Sequence, residues 1–174
     1  MSLRHGPPKH PLYARHSALG LIGCSLLAIS IFGCAQSISY SPSPITARYS
    51  LDNFSRANTR VIVKDLRAQR DGSSELISAI QNQIEQALTG RNSGQYAIII
   101  DVIENRSYFT MGNWNALTRL RWRVQRGDRS VIREGQAIGE GHRSNMLGYA
   151  TAKAVSQDSF DAAMADLLSS LSSV

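Results

Sequence analysis

Leu117-Thr118-Arg119-Leu120-Arg121-Trp122-Arg123-Val124-Gln125 alternates in character with a period of two. Thr118, Leu120, Trp122 and Val124 fall on one side, and Arg119, Arg121 and Arg123 on the other. Successive side chains of a strand point to opposite faces, so this segment reads as a strand with one buried and one wet face. A sheet made this way needs an apolar layer against one side only, and the rest of the chain must supply it.

Upstream lies the most apolar run of the chain's second half, Tyr96-Ala97-Ile98-Ile99-Ile100-Asp101-Val102-Ile103-Glu104. Both of its faces are apolar at the start, which implies a central strand or cover on both sides. The two strands join in a hairpin near Gly112. A two-residue Gly112-Asn113 turn would put Trp122 on the face of Ile103 and Asp101. A three-residue loop, Met111-Gly112-Asn113, aligns Trp122 with Val102 and Val124 with Ile100, and sets Arg123 across from Asp101. Register follows the buried face, so the three-residue loop is expected, with Asn113 in the left-handed position. Downstream, Arg126-Gly127-Asp128-Arg129 reads as a second turn and Ser130 to about Glu140 as a further strand. Gly135, Gly139 and Gly141 weaken that strand and point to a bulge or an edge. His142 to Leu147 reads as loop.

Two helices supply the apolar layer. Leu76, Ile77, Ile80, Ile84, Ala87 and Leu88 recur at helical spacing, giving a helix over about 73 to 89. Ser73 or Ser74 is the expected cap, and Gly90 the expected left-handed stop. Phe160, Ala163, Met164, Leu167, Leu168 and Leu171 make a second stripe, with Asp158 or Ser156 as expected cap and Ala150 to Val155 as a candidate earlier turn. Before the first helix, Arg60-Val61-Ile62-Val63-Lys64-Asp65-Leu66-Arg67 is a β-branched strand. The order β-α-β-β-β-α gives an α+β two-layer sandwich, a four-stranded mixed sheet with two helices on one face. A right-handed crossover through the first helix makes the first two strands parallel.

The N-terminal part has a different composition. Arg4, Lys9 and Arg15 stand in residues 1–16 without an acidic residue, followed by an apolar run from Ser17 to Gly33. A basic stretch, an apolar core and a small residue before the cut make an export signal. At 17 residues, with Gly and Ser inside it, the run is at the short edge of a bilayer span, the uncleaved-anchor alternative. The run ends in Ile31-Phe32-Gly33-Cys34, which resembles the lipobox of bacterial lipoproteins. That resemblance implies a diacylglycerol on the Cys34 thiol, cleavage before Cys34, and acylation of the freed amine. Leu21-Ile22-Gly23-Cys24 fits the same pattern but leaves about seven apolar residues upstream, so Cys34 is preferred. Ala35 after the cysteine, in place of Asp, implies the outer membrane by analogy with enterobacterial sorting, with the inner membrane as the alternative. The chain thus divides into a signal peptide (1–33), a lipidated Cys with a Ser/Pro-rich flexible tether (34–58) and a periplasmic α+β domain (59–174).

Composition narrows the function classes. The chain has 174 residues, 43% hydrophobic and 18% charged, too apolar for wholesale disorder and too polar for several membrane spans. Its formal net charge is +6, and removing residues 1–33 takes three positive charges and no negative ones, leaving +3. Removal also takes Cys24 and three of the four histidines, so the mature chain has no disulfide and no Cys/His cluster for a metal. Glu140-Gly141-His142-Arg143-Ser144 matches no hydrolase motif, and Asp65, Asp101 and Glu104 form no acid-base spacing. No catalytic residue, cofactor or metal is expected; the covalent lipid on Cys34 is the one added group. Arg126-Gly127-Asp128 is an adhesion tripeptide placed where a hairpin must turn, and Gly-Asp is turn chemistry.

Two surface features remain. Arg119, Arg121, Arg123, Arg126, Arg129 and Arg133 are the chain's basic concentration, a candidate site for an acidic partner, anionic lipid or lipopolysaccharide, or else a solvated face. Tyr108, Phe109, Met111 and Trp114 cluster at a hairpin tip, where turns are usually polar, a candidate contact with a protein or a membrane surface. Nucleic acid is not expected in an exported protein, and the oligomeric state is open.

With Cys34, the Ser/Pro tether and Val61-Ile62-Val63-Lys64-Asp65-Leu66-Arg67 ahead of a helix and an apolar strand, residues 59–171 resemble the YajG-type family of small bacterial lipoproteins. The lipopolysaccharide-assembly family, LptE-like, shares the element order, but Ala35-Gln36-Ser37 departs from its Gly-Trp-x-Leu-Arg segment. Auxiliary lipoproteins of envelope lipid transporters are a third resemblance. The YajG-type resemblance implies an envelope location more than an activity; the expected role is binding or assembly in the envelope, and an uncharacterised envelope enzyme is the competing class.

Overall fold

The structure, a computed structural model, describes Tyr40, Ser41 and residues 48–70, 72–145 and 150–174. All lie within the compact unit Gln36–Val174. Residues 1–33, read above as an export signal, together with Cys34 and most of the Ser/Pro segment, lie outside the described residues.

The element order is β1 (Thr59–Asp65), α1 (Ser73–Ala87), β2 (Tyr96–Thr110), β3 (Asn113–Arg126), β4 (Val131–Ser144) and α2 (Ala152–Ser172). The strands lie side by side in chain order, β1 parallel to β2 and the rest antiparallel. Leu76, Ile80 and Ile84 of α1 and Phe160, Met164, Leu167 and Leu168 of α2 share one core with Ile98, Ile100, Val102, Leu120, Trp122 and Val124. Both helices therefore cover the same face, the α+β sandwich expected from the sequence. Burying a side chain such as Leu or Phe contributes about 1.5–3 kcal/mol, so this one layer carries most of the apolar driving force.

The register differs from the expected one. The hairpin turn is the two-residue Met111-Gly112, both with positive φ (48° and 78°), closed by the pair Thr110 and Asn113. Such primed turns match the twist of the flanking strands. A two-residue turn here would by itself bring Trp122 opposite Asp101, on the wrong face. A bulge at Ile103, between the pairs Val102–Leu120 and Glu104–Arg119, moves Trp122 to Ile100 and Val124 to Ile98. The bulge provides the offset that the sequence had placed in a three-residue loop. Asn113 is therefore a strand residue, and Asp101 pairs with Arg121, not Arg123.

The helix ends also differ. α1 begins after Gly72 in a left-handed conformation with no side-chain cap, because the Ser73 hydroxyl donates to Asp65 Oδ2 at 2.5 Å. α1 leaves through an extended Leu88, since Leu51 N–H donates to Ala87 O and Leu51 bridges Leu88. Gly90 is needed for close approach, not for a left-handed stop: a Cβ there would lie 2.0 Å from the Asp52 carbonyl oxygen. α2 starts at Thr151, whose hydroxyl accepts from Ala154 N–H at 3.1 Å. The expected caps Ser156 and Asp158 sit inside the helix.

β4 is an edge strand, as its glycines implied, and it runs four residues further than expected, through His142 to Ser144. The glycines have a packing reason. A Cβ on Gly139 would meet Ser159 O at 2.0 Å and Ala163 N at 2.3 Å, and one on Gly141 would meet Val155 O at 2.3 Å. They let α2 lie directly on the strand. The segment read as tether is also packed in its second part: Leu51 and Phe54 are fully buried in the core, and Phe54 meets Tyr96 edge-on at 5.3 Å.

Candidate functional site

The face of the sheet away from the helices displays the arginines of β3 between carboxylates. Arg121 donates to Asp101 Oδ2 from Nη2 at 2.9 Å and from Nε at 3.2 Å. Arg119 lies 3.7 Å from Glu104, which also holds Arg106 at 2.6 Å. Arg123 pairs across the ladder with Glu134. Arg133 points to the other face, where it donates to Ser173 O at 2.8 Å, and a cation suits the carbonyl end of α2. Arg129 holds a left-handed position in the turn after β3, and Arg126 ends β3 opposite Tyr96. The six arginines thus do not make one stripe; the three that share a face are each set beside a carboxylate.

Around them the polar groups are matched. Asp65, nearly buried, accepts from Arg67 Nε at 2.9 Å, Nη2 at 2.7 Å and backbone N–H at 3.1 Å, and from Ser73. The Arg67 guanidinium is the main cause that holds its carboxyl at about 2, against an ordinary 3.8, with Ser73 adding to the effect and burial opposing it. Asp65 is therefore a clamp between the end of β1 and the start of α1. His142 Nδ1 lies 2.8 Å from Asn115 Oδ1. His142 borders an open groove of about 400 Å³ with Tyr108, Asn115, Leu117 and Glu140. A wider depression of about 950 Å³ lies at the other end of the sheet, by Arg60, Gln95 and Arg126. Among the described residues no group of three His, Cys, Asp or Glu is placed to hold a metal.

The hairpin tip keeps its apolar side chains in solvent. Met111 is 95% exposed, Phe109 52% and Tyr108 47%, and Trp114 is half-buried. The Phe109 and Trp114 rings stack at 5.2 Å, and Arg106 lies 5.6 Å from the Tyr108 ring centre. The bulge at Ile103 sets these directions, because it exchanges the faces of every later residue of β2. The tip does not fold back over a helix end.

Tyr40 is the residue the sequence reading missed. Its hydroxyl donates to Asn105 Oδ1 at 2.6 Å, and its ring lies 4.6 Å from that of Phe160. Burial pushes its phenol pKa up. Gln157 accepts from Ser41 N–H at 3.0 Å and donates to Ser41 O at 3.1 Å, as a neighbouring strand would. Asn105 also donates to Thr118, whose hydroxyl meets Ser159 of α2. An aromatic residue inside a Ser/Pro tract was the available signal.

No family model matches the chain. No curated protein matches it either. Solved structures with a similar course include a minor lipoprotein from Acinetobacter baumannii, at 10% identity and TM-score 0.41, over 67% of this chain and 91% of that one. Another is lipoprotein GNA1162 from Neisseria meningitidis, at 8% identity and TM-score 0.37, over 56% of this chain and 88% of that one. A third is the hypothetical protein CT253 from Chlamydia trachomatis, at 10% identity and TM-score 0.41, over 65% and 98%. Among the described residues no helix is long and apolar enough to cross a membrane.

Proposed function

We propose that this chain is a lipid-anchored envelope protein whose α+β domain serves as a binding or assembly factor in the periplasm, related to the YajG-type lipoproteins. The observation that carries this reading is the basic start, the apolar run and Ile31-Phe32-Gly33-Cys34 ahead of a domain with its own core. Two or three acyl chains hold a protein stably at a bilayer, where one does not, because each buried methylene adds about 0.8 kcal/mol. Ala35 favours the outer membrane. A non-catalytic role is supported by the way the polar groups are spent: Asp65 on Arg67, Asp101 on Arg121 and Glu104 on Arg106. The same pairings make anionic-lipid binding by the β3 arginines the weaker reading, and the exposed Met111 and Phe109 support a contact at the hairpin tip. The test is metabolic labelling with a fatty-acid probe in wild type, Cys34→Ser and Cys24→Ser, followed by separation of inner and outer membranes. Label lost only in Cys34→Ser, with the wild type in the outer membrane, is expected. Label that persists in Cys34→Ser refutes the assignment.

A further inference from the structure

The lipid anchor and the hairpin tip are tied to the same point of the domain. Tyr40 is fixed to Asn105 of β2 and Phe160 of α2, and it stands six residues after Cys34. A chain of that length reaches at most about 20 Å. From Asn105, β2 runs six residues on to Met111, a rise that is also about 20 Å at strand geometry. The lipid and the tip therefore have equal reach from one pin. Ser41, bonded through its backbone to Gln157, shares this pin, and beyond it the next described ties are Tyr49, packed on the core, and Leu51, bound to Ala87.

The chemistry of the tip suits a bilayer interface. Residues 107–116 contain no Asp, Glu, Lys, Arg or His, so nothing charged has to be stripped of water there. Met111 points fully into solvent, with the exposed Phe109 ring and the half-buried Trp114 ring beside it. Trp and Tyr settle at headgroup level because their rings are apolar with a polar edge. A soluble partner would fit such a tip as well, but the six-residue limit from Cys34 favours the membrane that carries the anchor.

We infer that the Phe109–Met111–Trp114 tip is a membrane-contact element, held toward the anchoring bilayer by Tyr40. This rests on the lipid-anchor reading above. The local concentration of a tethered group falls with about the three-halves power of tether length. Releasing both Tyr40 and Ser41 moves the first described tie from six to fifteen residues after Cys34, at Tyr49, and lowers tip occupancy of the interface about fourfold.

The two tryptophans make the test direct. Trp122 is buried, and its Nε1 has no partner, so Trp122→Phe breaks no hydrogen bond and leaves Trp114 as the only emitter. The full lipidated Trp122→Phe chain is placed on vesicles of phosphatidylethanolamine and phosphatidylglycerol that contain lipids with brominated acyl chains. Trp114 quenching is expected, reduced about fourfold by Tyr40→Ala combined with Gln157→Ala at unchanged vesicle flotation. Met111→Asp, at a solvent position whose left-handed backbone Asp accepts, is expected to abolish most of it. A chain that floats with the vesicles but shows no quenching overturns the inference alone. Quenching that is indifferent to the Tyr40→Ala, Gln157→Ala double substitution removes the pin. A Trp114 blue shift that grows with protein concentration in the absence of lipid gives the tip to a second copy and also overturns it. A chain that carries no lipid and does not float overturns the anchor reading and this inference together.

Discussion

Gly139→Ala tests the helix-on-strand contact that closes the sandwich. An added Cβ would stand 2.0 Å from Ser159 O, 2.3 Å from Ala163 N and 3.0 Å from Ala163 Cα, all helix backbone. Carbon contacts settle near about 3.5–4.0 Å, so α2 must withdraw by somewhat more than 1 Å or tilt about this point. A radial gap of about 0.5–1 Å already forfeits a quarter to a half of a dispersion contact. The side chains affected include Phe160, Ala163, Met164 and Leu167, all fully buried. Overpacking ordinarily costs about 1–3 kcal/mol, and with rigid backbone on both sides we expect the upper end, about 3 kcal/mol. Urea unfolding should show a lower midpoint with an unchanged slope. Gly112→Ala is the comparison: it has nothing within 4 Å and a φ of +78°, so it carries only a backbone penalty of about 1 kcal/mol. If Gly139→Ala loses no more than Gly112→Ala, the close approach of α2 to β4 is wrong.

Three other outcomes follow from the structure. Asp65 has a folded pKa of about 2 against an ordinary 3.8, so the folded state binds fewer protons through that interval. The clamp contributes about 2 kcal/mol, present above pH ~4 and lost as pH falls through ~2, and urea unfolding of Asp65→Asn should lack that part of the acid dependence. Thr151→Ala should cost about 1 kcal/mol through the lost cap to Ala154, while Thr151→Ser should keep most of it, as read from thermal unfolding. Phe109→Ser with Trp114→Ser should cost only about 1 kcal/mol, the worth of one aromatic pair, because neither ring belongs to the core; a cooperative collapse of the fold would contradict the exposed tip.

The parity of residues 117–125 was readable because each position states its own environment, apolar inward and Arg outward. Leu76, Ile80 and Ile84 and the Phe160-to-Leu171 stripe were readable for the same reason, at the helical period. The register was not, because the bulge falls on Ile103, at the end of a run where apolar residues occupy both faces and mark neither. Gly139 and Gly141 were visible as anomalies and Gly90 as a helix stop, but what they make room for is far away in sequence: Ser159, Val155 and Asp52. The α1 start could not be read from Ser73 alone, because that hydroxyl is taken by Asp65 eight residues earlier. At the candidate site, the exposed aromatics of the tip were legible from composition. The scattering of the six arginines was not, since it depends on which face each takes and on the long-range bond from Arg133 to Ser173.

The most direct measurement is the mass of the N-terminal peptide of the mature protein purified from membranes. The account predicts a chain that begins at Cys34, carrying a diacylglyceryl group on its thiol and an acyl group on its amine. A chain that still begins at Met1, or one cleaved elsewhere with an unmodified Cys34 thiol, would contradict it.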